Sequence, residues 1–154
     1  MTPLTLGVDP GSKGALALVA ADGVLVDVLD MPDATGAALG AILRHWIDDH
    51  SPNPIVAAVV EQVASRPGQG VASTFKFGAN YGGLCTLLGG LLIPTRTVTP
   101  TVWKKAMRVT ADKSSSRQRA CERWPTEAHR FARVKDDGRA EAALIAEWGR
   151  RCGT

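Results

Sequence analysis

The chain has 154 residues, 45% hydrophobic and 21% charged, with a mean hydropathy of -0.01; this fits one globular domain over 1–154 and excludes a disordered or fibrous chain. No apolar run reaches the roughly 18–20 residues of a bilayer span, Met1-Thr2-Pro3 has no basic stretch of a signal peptide, and three widely spaced cysteines argue against a disulfide framework or a zinc site, so a reducing cytoplasm and no membrane are expected. The net charge of +3 hides an asymmetry: residues 1–75 hold three Lys/Arg against eight Asp/Glu, and residues 76–154 hold fifteen against seven, a pattern suited to a polyanion held near a cluster of acids.

The chain opens with an apolar strand, Leu4–Asp9. A Pro10-Gly11 turn follows, then a return strand, Ala15–Ala20. Ala21-Asp22-Gly23 turns the chain into a third strand over 24–29, which completes an antiparallel meander. Thr35 starts a helix whose Leu39, Ile42, Leu43, Trp46 and Ile47 recur at helical spacing. The near-continuous apolar run 55–60 reads as a central buried strand that ends in Glu61. A polar, Gly-rich loop spans Gln62 to Gly70. The helix after it, Val71 to Gly89, has two stripes, one small (Gly78, Gly82, Cys85, Gly89, with Val71 and Phe75) and one bulky (Phe77, Tyr81, Leu84, Leu88). A helix apolar on two sides must bury both. One side suits the sheet and the other a second subunit, unless the helix is wholly internal. A strand over 91–98 comes next, placed by Pro94 at an edge or a bulge. Thr99-Pro100 starts a helix to about Met107. A polar loop over 110–116 precedes a basic helix that Pro125 ends. The last helix starts near 136–138 and buries Leu144, Ile145 and Trp148.

Two buried-type strands each end in an acid, Asp9 and Glu61. As parallel neighbours they would emit both carboxylates at the C-terminal edge of the sheet, where ligand sites of open α/β sheets lie. In the last helix, Glu141 and Asp137 extend the buried stripe towards the N-terminus, four residues apart. Like charges at that spacing repel. Capping explains Asp137 in part and Glu141 less. No His or Cys joins these four acids at metal-ligand spacing. An all-oxygen set suits Mg²⁺ or Mn²⁺, and two such ions per site would clamp an in-line displacement at phosphorus.

The motifs Gly7-Val8-Asp9-Pro10-Gly11-Ser12, Val60-Glu61-Gln62-Val63 and Asp137-Gly-Arg-Ala-Glu141 resemble, in order and spacing, those of the RuvC-like Holliday junction resolvases, in their compact phage-type form. The resemblance covers nearly the whole chain. It implies an α/β, RNase H-like fold, a mixed five-stranded sheet flanked by helices on both faces. It also implies a homodimer, metal-dependent paired nicking of branched DNA at four-way junctions, and a place in the bacterial or phage-infected bacterial cytosol. Asp9, Glu61 and Glu141 match catalytic metal ligands of that family. Asp137 is the choice for a fourth, with Asp136 as the rival that is simply solvated.

The resemblance further implies that Lys104, Lys105 and Lys113 hold DNA phosphates, joined by Arg117 on the basic helix. Arg66 and Gln69 fall in the loop that family members push into the crossover. Arg139, between the two acids, is a further candidate for a phosphate. The same acids would serve a less selective flap or branched-DNA nuclease, or an RNA-processing relative. A non-catalytic junction binder is disfavoured, because a pure DNA binder gains nothing from four acids.

Overall fold

The computed structural model describes residues 1–64 and 67–152, without the side chain of Lys113. Five strands form one mixed sheet: β1 (Leu4–Asp9), β2 (Ala15–Ala20), β3 (Leu25–Asp30), β4 (Ile55–Glu61) and β5 (Thr95–Val98), in the order β3-β2-β1-β4-β5. The first three pair antiparallel, as the short turns between them require. β4 pairs parallel with β1, and β5 parallel with β4, each reached through a helical crossover.

Strand alternation divides the core in two. Leu4, Leu6, Val8, Ala58 and Val60 face α1 (Gly36–Asp48) and α2 (Val71–Gly90). Ala15, Ala17, Val19, Val59 and Val98 face α3 (Pro100–Met107), α4 (Lys113–Arg123) and α5 (Asp137–Arg151). α5 lies closest to the sheet. Ala140, Ala142, Ala143 and Ala146 are buried along it, and their small side chains permit a near approach. Gly7 of β1 completes that contact: a Cβ there would overlap the backbone of Ala142 and Ala146. Gly138 does the same at the other end of the contact, where a Cβ would strike the backbone of Lys13 and Gly14.

Two expectations need correction. The strand expected over 91–98 begins only at Thr95, because Leu91 caps α2 and Leu92 turns left-handed with φ 57°. β5 does lie at a sheet edge. The basic helix begins earlier than its polar sequence suggests, since Asp112 caps it by accepting from the Ser114 amide at 3.0 Å. Pro125 ends that helix as expected: α4 stops at Arg123, and a separate 3-10 segment, Pro125–Phe131, follows. α2 is not wholly internal: Leu84 and Leu88 are buried, whereas Val71 is 88% and Phe75 78% exposed. No helix among the described residues is long and apolar enough to cross a membrane.

Candidate active site

The site follows from the register of two parallel strands. Val8 of β1 lies opposite Val60 of β4. One residue further, Asp9 and Glu61 end their strands at the same sheet edge. Side chains alternate along a strand, so Asp9 shares the face of Gly7 and Glu61 that of Val59, the face under α5. α5 supplies Glu141, one turn before Ile145. The three acids each offer a carboxylate oxygen, and these oxygens lie within 4.8 Å of one another.

Such closeness has an electrostatic consequence. The carboxyl of Asp9 is pushed up from 3.8 to about 7, first by burial and then by the charges of Glu141 and Glu61. The Gly11 amide, donating to Asp9 at 3.3 Å, and the Lys104 ammonium oppose the shift without cancelling it. A hard cation among these oxygens would relieve the repulsion, and the donor set has no nitrogen or sulfur. The residues therefore fit a divalent ion of the Mg²⁺ or Mn²⁺ kind.

Neighbouring side chains hold the acids in place. Trp103 Nε1 of α3 donates to Glu61 Oε2 at 2.5 Å, with the indole fully buried. Ser116 Oγ of α4 donates to Glu141 Oε1 at 3.2 Å. Lys104 Nζ lies 3.1 Å from the same oxygen. Neither Trp103 nor Ser116 was marked as functional by the sequence. Trp103 sits 42 residues from its partner, and its only signal is adjacency to Lys104 on a helix that Thr99-Pro100 starts.

The remaining sequence candidates are placed as follows. Asp137 lines the same cleft as Asp9 and Glu141 but stands outside their cluster, paired with Arg117 at 2.7 Å. Asp136 is not solvated. It is 1% exposed, and its carboxylate accepts from the Arg133 amide at 2.9 Å and from the Arg133 guanidinium at 2.8 Å. It anchors the turn that enters α5 and is turned to structure rather than to the cleft. Arg139 makes a two-pronged pair with Asp30, at 2.6 and 2.7 Å. Lys105 is exposed on α3. Gln69 lines the cleft and donates to Ser73 at 3.4 Å. Arg66 and the side chain of Lys113 lie outside the described residues. The cleft, about 440 Å³, also carries Lys13, Lys76 and Lys135 on its walls, three cations that the sequence did not single out.

No protein-family model and no curated protein matches the chain. Solved structures do. Thermus thermophilus RuvC is 21% identical with a TM-score of 0.61, covering 93% of this chain and 90% of that one. T. thermophilus RuvC in complex with a Holliday junction substrate is 18% identical, also at 0.61, over 93% and 89%. The likeness establishes a RuvC-type, RNase H-like fold for this chain.

Proposed function

We propose that the chain is a metal-dependent DNA endonuclease that resolves four-way junctions by paired symmetric nicks. The observation that carries this reading is the convergence of Asp9, Glu61 and Glu141 from two strand ends and a helix. The fold likeness to a protein solved with a Holliday junction supports the substrate class.

Asp9, Glu61 and Glu141 would hold Mg²⁺ or Mn²⁺, with Asp137 reaching a second ion after release from Arg117. When bound, such ions turn water into a nucleophile and stabilise the departing oxygen of an in-line displacement. The protein's own contribution is orientation. Trp103 fixes the Glu61 carboxylate, and Ser116 fixes that of Glu141. Lys104 balances the acids and would turn to a phosphate as the ions take over its role. Lys105, Lys113, Arg66 and Gln69 would add backbone contacts, which position the duplex without reading its sequence. Arg117 and Arg139, held by Asp137 and Asp30, would set the α5 N-terminus first and meet phosphate second. Paired nicks need two sites, and the exposed side of α2 would join two copies.

The test is cleavage of a labelled synthetic four-way junction in Mg²⁺, beside linear duplex, flap and RNA–DNA hybrid. Symmetric nicks on the junction alone are expected. Equal cutting of flaps would leave a general branched-DNA nuclease, and cutting of the hybrid an RNA-processing enzyme. Tight junction binding without any cutting, in Mg²⁺ or Mn²⁺, would overturn the enzymatic reading.

A further inference from the structure

Val134 is 75% exposed and stands on the wall of the cleft that holds Asp9 and Glu141. A lone apolar side chain on open surface needs no explanation. This one differs in where it is and in how it is held. With Phe77 of α2, it is one of two large apolar side chains that line the cleft among the described residues. It belongs to a 3-10 turn, Val134–Asp136, that is fixed on both sides. The buried Asp136 carboxylate ties the turn back to Arg133, accepting from its amide and its guanidinium. Just after the turn, Gly138 rests against the backbone of Lys13 and Gly14. Val134 is therefore displayed at a set place, with the exposed Lys135 next to it on the same wall.

The clustered acids have no use for an apolar neighbour. Contact with an apolar part of the substrate would take the valine out of water, which is favourable. A DNA strand alternates phosphate with a sugar whose C2′ is a bare methylene. Lys135 suits the phosphate, and the adjacent valine suits the sugar joined to it. In RNA that carbon carries a hydroxyl, the group by which proteins tell the two nucleic acids apart. Against Val134 the hydroxyl would lose its water and find no hydrogen-bond partner. We infer that Val134 packs on the C2′ side of one deoxyribose flanking the scissile phosphate and selects against ribose there. Lys135 holds the adjoining phosphate. Val134 is thus a specificity-determining residue for the sugar, and the inference rests on the nuclease reading of the acid cleft.

The test uses the full chain in Mg²⁺ with four-way junctions that carry one ribonucleotide at each position flanking the cut in turn, read as single-turnover cleavage rates. Ribose is expected to slow cleavage about tenfold at one position, the cost of a hydroxyl desolvated without a partner. A 2′-fluoro nucleotide there, which shares the ribose pucker but has no hydroxyl, should be cut at nearly the DNA rate. Val134→Thr keeps the shape and supplies a hydroxyl partner, so the ribose and deoxyribose rates should come within about twofold of each other. Val134→Asn is a second such variant; the side chain is exposed, so the fold does not depend on it. No ribose penalty at any position, an equal penalty with 2′-fluoro, or a penalty unchanged in both variants overturns the inference. The all-DNA junction separates the two readings. A protein that cuts it without a ribose penalty keeps the function and loses the role of Val134, whereas one that cuts no junction loses both.

Discussion

Asp9 keeps its proton to about pH 7 because burial and two neighbouring carboxylates oppose its charge. A carboxyl with a raised folded-state pKa stabilises the protein while protonated, and that contribution is lost as pH rises through the folded value. In EDTA the melting temperature is therefore expected to fall as pH rises from about 4 to about 7, and Asp9→Asn to flatten that fall. Thermal melts in a pH series check it; an unchanged slope in the variant would move the effect elsewhere. Asp9→Asn, Glu61→Gln and Glu141→Gln should each abolish cleavage and spare junction binding, whereas Asp137→Asn, outside the cluster, should retain measurable turnover. Full activity in any of the first three would remove that residue from the site. Trp103→Phe keeps the ring but loses the donor to Glu61. One such hydrogen bond is worth ~1–1.5 kcal/mol, so cleavage should slow by about tenfold, read as single-turnover rate.

At the scale of elements, α5 does most to assemble the molecule. It covers β1, β2 and β4 and carries Glu141 into the cleft. Its far end is fixed by Glu147, fully buried and bonded by Arg123 at 2.9 Å, Arg150 at 2.7 Å and Arg151 at 2.7 Å. Burial would raise the Glu147 carboxyl, but the bonds from Arg150 and Arg123 outweigh it and hold the group below its usual range. Its stabilising effect is accordingly lost as pH falls below about 4.5. Glu147→Gln would leave three guanidinium groups without their shared charge and cost about 3 kcal/mol, measurable by denaturant titration. α2 presents the opposite situation. Phe75 is exposed, and a Cβ on Gly78, Gly82 or Gly89 would meet no atom within 4 Å. If two copies join there, Gly82→Arg should leave circular dichroism unchanged and shift sedimentation to the monomer. A wild-type protein that sediments as a monomer at the same concentration would undo the paired-nick proposal.

At the scale of the whole molecule, acids and lysines meet at the cleft. Acids occupy the floor, and Lys13, Lys76, Lys104 and Lys135 stand around it. Each lysine that contacts a phosphate steepens the salt dependence of affinity by about 0.9 in log–log slope. Lys135→Ala should flatten that slope by about one contact for every branched substrate alike; a change confined to one sequence would assign it to base reading instead. Much of this plan was legible in the sequence. Asp9 and Glu61 stood at the ends of apolar runs, and Glu141 lay on a buried stripe, because strand and helix periods show on the chain itself. What stayed hidden depended on pairings across long separations. Nothing local ties Trp103 to Glu61, Lys104 to Glu141, or Arg117 to Asp137. The adjacent acids Asp136 and Asp137 look alike in the sequence, yet one is buried against Arg133 and the other lines the cleft against Arg117. The start of β5 depended on one left-handed residue, Leu92, inside an apolar run that looks uniformly extended.

The order of the three clustered acids along the chain has a temporal consequence. Asp9 and Glu61 are synthesised early, while Glu141 arrives with α5, after every strand of the sheet. A growing chain that has paired β1 with β4 still lacks both the third carboxylate and the helix that closes over the first two. On the proposed reading, hydrolytic capacity is completed only by the docking of α5, the last helix to be synthesised, so the acid cluster stays incomplete until the chain is nearly whole.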